Sequence, residues 1–501
     1  MAKDDGERRP LGLHDIYRPS LALLTDLYQL TMAYGYWKSG THEKEAVFHL
    51  FFRQNPFQGG FTLACGLTRA LELIERLRFD EEDLAYLATL AGNDGQPLFD
   101  AGFLQELRAM RFACDVDAIP EGTIVFPHEP LLRIRGPILQ GQLLETALLN
   151  VVNFETLIAT KAARIGIAAK GDPVLEFGLR RAQGIDGGLA ASWAAYVGGV
   201  NATSNVLAGR LFGIPVRGTH AHSWVMSFED ELASFEAYAE AMPNNAIFLV
   251  DTYDTLAGVD KAIAVGRRLR ERGHEMAGIR LDSGDLAYLS VEARRKLDAG
   301  GFKDAIIVAS NDLDEHLIAS LRGQGAAIDA WGVGTRLVTG HDQPALGGVY
   351  KLSAVRSAGA PWRYTVKLSE QAIKINNPGI LQVRRYEANG EYAADVIYDE
   401  ERGVQDPGQM IDPADLTRRK ALPAGPRFED LLVPVFRGGR RVYDSPSIHA
   451  IRDRAQAQLA GFHAGIKRFV NPHRYPVGLE GRLFDLKTEL VLKARGLAPQ
   501  G

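Results

Sequence analysis

The middle of the chain alternates short apolar runs with longer segments of helical spacing. Each run is three or four residues long, ends in a polar or glycine-rich cluster, and precedes apolar residues spaced three and four apart. The runs are Val174–Phe177, Ile214–Val216, Ile247–Val250, Gly278–Leu281, Ile306–Ala309 and Ala330–Val333. They end about 24 to 40 residues apart, which is typical of successive βα units and predicts a parallel sheet, either closed as a barrel or open and doubly wound.

The regions on either side of these units show different patterns. Before residue 140, predicted strands such as Ala46–Phe52 alternate with short predicted helices, and a long amphipathic helix is predicted over Leu143–Ala163. After residue 350, the predicted strands Leu381–Tyr386 and Tyr392–Tyr398 are joined by Asn389-Gly390. This dipeptide is a strong hairpin signal because both residues tolerate positive φ.

These patterns divide the chain into three predicted parts. Residues 1–140 form an N-terminal mixed domain that strands from residues 350–400 complete. Residues 141–350 form the catalytic α/β domain, and residues 351–501 contain C-terminal strands followed by an arginine-rich helical region that begins near Arg437.

Composition and charge exclude several classes of protein. The 501 residues include 57 Lys and Arg against 62 Asp and Glu, so the net charge of −5 gives no general attraction to nucleic acid or to an anionic membrane. No signal peptide and no apolar run of the roughly 20 residues that cross a bilayer are visible. The only cysteines, Cys65 and Cys114, exclude a disulfide framework and favour a reducing cytoplasm.

Polar side chains follow all six apolar runs. The clusters are Arg180 and Arg181; Arg217, Thr219, His220 and His222; Asp251 to Asp254; Arg280, Asp282, Ser283 and Asp285; Ser310, Asn311 and Asp312; and Gly332, Gly334 and Thr335. In either parallel architecture, ligands bind where the strands end at their carboxyl edge. The recurrence of Arg, His and Thr beside acids therefore predicts one shared site.

Two of these clusters favour a phosphorylated, anionic ligand. The backbone N–H groups of Gly332-Val-Gly-Thr335, at a strand-to-helix turn, would cradle phosphate together with the Thr335 hydroxyl. Arg280 and Asp282 would project to the same face of a strand, where the guanidinium can bind a carboxylate or phosphate and the acid can hold ribose hydroxyls or hydrated Mg²⁺. An internal Arg280–Asp282 pair is the structural alternative.

The histidine and arginine motifs leave more than one interpretation open. The motif Gly218-Thr-His-Ala-His222 contains two histidines, and three roles are open for them. They are structural, or one is catalytic and is positioned by an acid such as Glu229 or Asp251. They could also bind zinc, although no third zinc ligand stands at a neighbouring strand end. Arg181 is either part of a solvated helix start or an anion clamp. The residues alone indicate an enzyme that handles a polyphosphorylated sugar and an anionic co-substrate with the help of Mg²⁺, and they do not specify the reaction.

Several motifs, in order along the chain, match one family. They are Leu24-Thr-Asp-Leu-Tyr-Gln29, Phe177-Gly-Leu-Arg-Arg-Ala-Gln183, Gly218-Thr-His-Ala-His222, Asp251-Thr-Tyr253, Arg280-Leu-Asp-Ser-Gly-Asp285, Gly332-Val-Gly-Thr335, Tyr350-Lys-Leu352 and Pro378-Gly379. Together they closely resemble the nicotinate phosphoribosyltransferase family over residues 20 to 380 and more weakly beyond.

The resemblance implies a fold and a reaction. The fold is the irregular α/β barrel of type II phosphoribosyltransferases, with an N-terminal mixed α+β domain, a C-terminal extension, and a homodimer whose sites lie near the subunit interface. The reaction joins nicotinate to 5-phosphoribosyl 1-pyrophosphate, gives nicotinate mononucleotide and pyrophosphate as the first step of NAD salvage from nicotinate, and is coupled to ATP hydrolysis.

The resemblance also implies roles for individual residues. His222 corresponds to a histidine that ATP transiently phosphorylates, while His220 stands at a variable position of the motif. Tyr28, Thr219 and Arg280 match positions that contact nicotinate, and Thr335 matches one that binds the phosphoribosyl substrate. On the physical argument above, we extend phosphate binding to the following residues: Arg181, Gly332 and Gly334.

Other functions stay open at this stage. Nicotinamide or quinolinate could replace nicotinate, and a zinc-dependent barrel hydrolase could use the histidine pair. A non-catalytic binding protein is disfavoured because the set of polar residues at the strand ends looks complete.

Overall fold

The computed structural model describes residues 20–371, 374–405, 408–413, 415–422 and 427–497. Within them, two six-stranded sheets and one seven-stranded sheet are packed with helices, and a two-stranded ladder joins β2 (Thr62–Leu63) to β4 (Ile124–Val125). The result is a mixed α/β fold, as predicted. None of the helices in the described ranges has both the length and the apolar content needed to span a membrane.

The N-terminal region is built on the seven-stranded sheet. Its strands, given in spatial order, are β13 (Arg363–Tyr364), β12 (Gly348–Arg356), β1 (Glu45–Phe52), β5 (Leu132–Pro137), β3 (Asp115–Ala118), β19 (Val433–Arg437) and β20 (Arg440–Arg441). All of the pairings are antiparallel. Four of its strands thus come from beyond residue 340, so the two ends of the chain share one sheet.

Short helices pack around this sheet and bury its apolar residues. They are α1 (Leu27–Lys38), α2 (Leu67–Glu75), α3 (Glu81–Ala88), α4 (Ala101–Ala109) and α5 (Ile138–Leu143). The short helices predicted before residue 140 are confirmed in α2 and α3. Asp80 caps α3 because its carboxylate accepts the backbone N–H groups of Glu82 and Asp83.

Helix α6 (Glu145–Ala169) links this region to the parallel sheet. It runs six residues past the predicted end at Ala163. On its buried face, Lys161 Nζ and Arg164 Nε each lie 2.7 Å from a carboxylate oxygen of Glu315. Two fully buried cations on one carboxylate tie α6 to the helix that Glu315 begins.

The parallel sheet contains six strands in the order 7-6-11-10-9-8. They are β6 (Val174–Glu176), β7 (Ala202–Thr203), β8 (Ile247–Leu249), β9 (Gly278–Leu281), β10 (Ile306–Ala309) and β11 (Ala330–Val333). Five of the predicted apolar runs are therefore confirmed as strands. Ile214–Val216 is the exception, since only Val216 forms a single parallel bridge, to Thr203 at the end of β7.

The edges of this sheet are joined by the segment from Val216 to His220. Val216 pairs with Thr203 on one edge strand, and the ring of His220 contacts β8, the other edge strand, where its Nε2 accepts the Leu249 N–H at 3.2 Å. This segment therefore connects the two edge strands of the irregular barrel through one backbone bridge and one side-chain hydrogen bond rather than through strand pairing, and we call it the seam.

Helices follow the barrel strands in the predicted βα order. They are α7 (Gly184–Val197), α8 (Val206–Phe212), α9 (His222–Met226), α10 (Glu231–Ala241), α11 (Thr255–Glu271), α12 (Leu286–Ala299), α13 (Glu315–Gly323) and α14 (Thr335–Val338). Three begin at aspartates in the strand-end loops: Asp254, Asp285 and Asp314 accept backbone N–H groups of α11, α12 and α13. Part of the predicted polar clusters thus consists of helix caps.

The third sheet lies in the C-terminal part. Its strands, in spatial order, are β17 (Asp415–Ala421), β16 (Gln409–Asp412), β21 (Val477–Glu480), β15 (Glu391–Asp399), β14 (Leu381–Ala388) and β18 (Arg427–Asp430). The predicted hairpin between β14 and β15 is confirmed, with φ of +55° at Asn389 and +81° at Gly390. Helices α15 (Ile448–Gly461) and α16 (Gly481–Ala494) follow Arg437, as predicted.

Candidate active site

A cavity of about 540 Å³ opens where the barrel strands end. Its lining draws on the loops after β6, β7, β9, β10 and β11 and on the seam segment. The lining residues are Phe177, Leu179, Arg180, Arg181, Ser204, Gly218, Thr219, His220, Ala221, Arg280, Asp282, Ser310, Asn311, Asp312, Gly332, Gly334 and Thr335. The convergence predicted from the strand ends is therefore present for seven of the nine candidate site residues.

The guanidinium of Arg280 forms no ion pair with an acid among the residues that the structure describes, although the charges of Asp282 and Asp251 act on it. Its Nη1 donates a hydrogen bond to Thr219 Oγ1, and its buried Nε has no hydrogen-bond partner among the described residues. Within the described ranges, no carboxylate lies within ion-pair distance of it, and burial lowers the pKa of Arg280. Asp282 therefore acts on Arg280 through its charge without a direct ion pair, and the guanidinium can receive an anion.

Asp282 is bound elsewhere in the site. Its Oδ1 accepts a hydrogen bond from the Ser310 hydroxyl, and its Oδ2 lies 3.6 Å from His222 Nε2. Asp282 thereby connects the loop after β10 with the histidine at the start of α9. The carboxylate of Asp282, which lines the cavity, therefore lies beside the His222 imidazole.

His222 stands at the edge of this arrangement. Its side chain is 39% exposed, and its Nδ1 lies 3.1 Å from Thr252 Oγ1. The sequence suggested Glu229 or Asp251 as the acid that positions a catalytic histidine, but the structure gives that place to Asp282, with Thr252 on the other ring nitrogen. The ring is accessible and held from both sides.

His220 has a different environment from His222. Its ring is buried and packs edge-on against Tyr238, with 4.7 Å between ring centroids. Burial lowers the pKa of His220 to about 4. Because its Nε2 is occupied by Leu249 N–H, the two histidines do not form a ligand pair, and the residues described bring no third zinc ligand to them.

The glycine turn after β11 packs directly against the turn after β6. A Cβ at Gly332 would lie 2.8 Å from ring atoms of Phe177, and one at Gly334 would lie 3.3 Å from the Phe177 carbonyl oxygen. These glycines therefore allow two strand-end turns to meet. Thr335 follows as the first residue of α14, and it lines the cavity together with Arg181.

The acidic groups near the cavity suit a hard cation. Asp251 Oδ2 accepts hydrogen bonds from Asp282 N–H at 2.8 Å and from Ser283 Oγ at 2.6 Å, whereas the buried Asp251 Oδ1 has no hydrogen-bond partner in the described part of the chain. Asp282 and Asp312 line the cavity itself. Carboxylate oxygens near a phosphate site are the ligands that Mg²⁺ prefers.

Of the two candidate residues that do not line this cavity, His222 stands at its edge, whereas Tyr28 lies in another region of the chain. It is 47% exposed on α1, beside Glu145 and Thr146 at the start of α6, and burial followed by the Glu145 charge raises its pKa. The structure therefore separates Tyr28 from Thr219 and Arg280 within one chain.

Two residues of the site gave no signal in the sequence. Ser204 lines the cavity after β7, a strand of only two residues that is too short to show a pattern. Glu176 is buried at the end of β6, where it accepts hydrogen bonds from Thr203 Oγ1 at 2.5 Å, from Ser192 Oγ at 3.0 Å, and from Gly178 N–H. Glu176 thereby fixes the turn that carries Arg180 and Arg181. In the sequence it is only one acid inside an apolar run, and that pattern does not indicate this role.

Two family models match the chain. The nicotinate phosphoribosyltransferase N-terminal domain matches residues 23–153, and the nicotinate phosphoribosyltransferase C-terminal domain matches residues 382–487.

Full-length relatives and solved structures are also similar. A nicotinate phosphoribosyltransferase of Bacillus subtilis is 44% identical over 479 residues, which cover 94% of this chain and 95% of the relative. The crystal structure of human nicotinic acid phosphoribosyltransferase superposes with a TM-score of 0.81 at 34% identity, covering 93% of this chain and 99% of the human one. A nicotinate-nucleotide pyrophosphorylase from Pyrococcus furiosus, at 23% identity and a TM-score of 0.69, shares the fold.

Proposed function

The chain belongs to the nicotinate phosphoribosyltransferase family, and on this premise we propose that it joins nicotinate to 5-phosphoribosyl 1-pyrophosphate. The products are nicotinate mononucleotide and pyrophosphate. The observation that carries the proposal is the unpaired guanidinium of Arg280 in a cavity that also presents Arg181 and the Gly332–Thr335 turn. One anion site for a carboxylate and another for phosphates fit the two substrates.

Arg280 and Thr219 are assigned to the nicotinate carboxylate. Arg280 is already oriented by its hydrogen bond to Thr219 Oγ1, and the buried Nε still lacks an acceptor. A carboxylate would satisfy that donor with a charge-assisted hydrogen bond, whereas the neutral amide of nicotinamide would pair less strongly. This difference favours the acid over the amide.

Arg181, Gly332, Gly334 and Thr335 are assigned to the phosphoribosyl substrate. As pyrophosphate leaves C1 of the ribose, positive charge develops on the sugar and negative charge on the leaving group, so guanidinium and backbone N–H donors stabilise the transition state. Asp282 and Asp312 would hold Mg²⁺ together with the pyrophosphate oxygens. When bound, the cation neutralises the charge that develops there. The ring nitrogen of nicotinate needs no base because it carries a lone pair.

His222 is assigned to the coupling with ATP. An imidazole nitrogen would attack the γ-phosphorus of ATP, the bond from phosphorus to the bridging oxygen would break, and ADP would leave. The exposed ring, with Asp282 and Thr252 on its two nitrogens, supports this role. Phosphorylation adds charge at the cavity mouth and thereby favours a rearranged phosphate site.

Tyr28 supports a homodimer with shared sites. Since Tyr28 is exposed on the N-terminal region and does not line the cavity of its own chain, we assign it to the cavity of a second copy. A two-fold arrangement would give each dimer two such composite sites.

The two free cysteines, both buried, agree with a cytoplasmic location.

Pyrophosphate release tests the proposed reaction. With Mg²⁺, nicotinate and phosphoribosyl pyrophosphate, we expect release that ATP increases and that zinc-selective chelation leaves unchanged. Nicotinamide and quinolinate in place of nicotinate should give at most a small fraction of that rate. A higher rate with either base, or loss of activity on removal of zinc, would overturn the assignment.

A further inference from the structure

A second concave surface carries a cluster of arginines. It is a groove of about 890 Å³ between the turn after α2, the end of α4 and the β19–β20 hairpin, and it shares no lining residue with the barrel cavity. We call it the arginine groove. Its lining includes six arginines and two glutamates: Arg76, Arg78, Arg108, Arg111, Arg440, Arg441, Glu75 and Glu81.

Only part of this positive charge is neutralised. Arg108 lies 2.5 Å from a Glu81 oxygen, and Arg441 lies 3.3 Å from a Glu75 oxygen. The other four arginines have no carboxylate within ion-pair distance among the residues that the structure describes. Residues 1–19 contain four acidic and four basic side chains, so they bring no net negative charge. The groove therefore has an excess of positive charge, although the net charge of the whole chain is −5.

The hairpin that carries Arg440 is fixed against the segment that precedes β3. Gly439 has a φ of +74°, and a Cβ there would lie 1.8 Å from the Phe112 carbonyl oxygen. Its N–H donates to the Cys114 carbonyl at 3.0 Å. Arg441 is held in turn by hydrogen bonds to the Tyr443 carbonyl and to Ser445 Oγ. The C-terminal wall of the groove is therefore preorganised.

Apolar groups line the groove beside the guanidinium groups. Phe112 is half-buried and meets the buried Phe436 edge-on, with 5.8 Å between ring centroids, and Leu77 is half-buried nearby. A guanidinium group can donate two parallel hydrogen bonds to the oxygens of a phosphate. Apolar and aromatic side chains can pack against the flat face of a base. A cavity of this size suits a small molecule.

We propose that the arginine groove binds a small molecule that carries two or more phosphates, of the nucleoside triphosphate class. The four unneutralised guanidinium groups bind the phosphate chain, and Leu77 and Phe112 contact the base. The site is separate from the barrel cavity, so ligand can occupy both at once.

Titration calorimetry with ATP and with inorganic tripolyphosphate tests this site. For the wild-type chain we expect two classes of binding site for each probe. The variant Arg76→Ala/Arg78→Ala/Arg440→Ala should lose one class, with binding at least tenfold weaker, and Arg181→Ala/Arg280→Ala should lose the other. Tripolyphosphate should gain less affinity from the groove than ATP, because it cannot contact Leu77 and Phe112.

Control variants separate the site from a general effect of charge and from misfolding. Arg267→Ala/Arg272→Ala/Arg495→Ala removes the same charge from exposed positions elsewhere and should keep both classes of site. Arg76→Lys/Arg78→Lys/Arg440→Lys keeps the charge but not the planar fork, and should bind with intermediate affinity. Equal losses in the groove and control variants, or an unchanged groove variant, would overturn the proposal.

Discussion

His220 Nε2 accepts a hydrogen bond from the backbone N–H of Leu249 at 3.2 Å. A side chain thus takes the place of a backbone acceptor at the seam where the parallel barrel closes. The same loop carries Thr219 and His222 on either side of this anchor, so the seam fixes two residues of the candidate site.

The pH dependence of stability should report on this contact. Because the pKa of buried His220 is about 4 rather than 6.5, the unfolded chain takes up a proton that the folded chain does not as pH falls from 6.5 towards 4. The stability contributed by the neutral His220 is complete above about pH 7.5 and decreases by about 2 kcal/mol by pH 5. His220→Gln keeps an acceptor but does not titrate, so its free energy of unfolding should fall less between pH 7.5 and 5.

A second substitution checks the anchor itself. His220→Leu fills the space but leaves the buried Leu249 N–H without a partner, which should cost about 1 to 3 kcal/mol at pH 7.5. Chemical denaturation of both variants measures these values. Equal pH slopes for wild type and His220→Gln would contradict the buried neutral ring.

Arg280 should determine the affinity for nicotinate. Arg280→Ala removes a charged donor from the carboxylate, so the KM for nicotinate should rise about 10- to 100-fold, on the order of 1.5 to 3 kcal/mol. The KM for phosphoribosyl pyrophosphate should change much less, and Arg280→Lys should recover part of the loss. Steady-state kinetics with each substrate varied in turn measures this; equal changes in both KM values would point to a structural role.

His222 should accept the phosphoryl group of ATP. His222→Ala should abolish acid-labile labelling of the protein by γ-labelled ATP and the stimulation of turnover by ATP. His220→Gln provides a matched histidine control and should retain the label, because the His220 ring is buried and engaged with Leu249. Labelling of His222→Ala at the wild-type level would reject the assignment.

Tyr28 should act in the cavity of the partner subunit. Tyr28→Ala and Arg280→Ala chains are each expected to have low activity alone, because every site in either homodimer lacks one group. Co-refolded equal mixtures should regain up to about a quarter of wild-type activity, since half of the dimers are mixed and each has one intact site. No recovery in mixtures that contain verified heterodimers would show that Tyr28 acts within its own chain.

Much of the barrel could be predicted from the sequence because its strands are continuous apolar runs. Strands β9, β10 and β11 have the predicted bounds. The seam could not be predicted in this way. Ile214–Val216 is as apolar as a strand, but only Val216 forms a bridge, to Thr203 at the end of the two-residue strand β7. Strand register depends on the partner strand as well as on local composition.

The sequence predicted which residues line the cavity, but it did not predict which side chains contact each other there. Parallel strands bring their ends to one edge, so the common cavity followed from topology alone. Which acid contacts His222, and whether Asp254 and Asp285 cap helices or face the cavity, depends on loop conformations that residue spacing does not specify. The separation of Tyr28 from the cavity likewise depends on how the N-terminal region packs.

A structure of the protein bound to nicotinate mononucleotide and pyrophosphate tests the central claim most directly. The account predicts that the nicotinate carboxylate lies within hydrogen-bond distance of Arg280 and Thr219, and that phosphate oxygens contact the Gly332–Thr335 turn and Arg181. A nucleotide bound outside this cavity, or with its carboxylate directed away from Arg280, would contradict it.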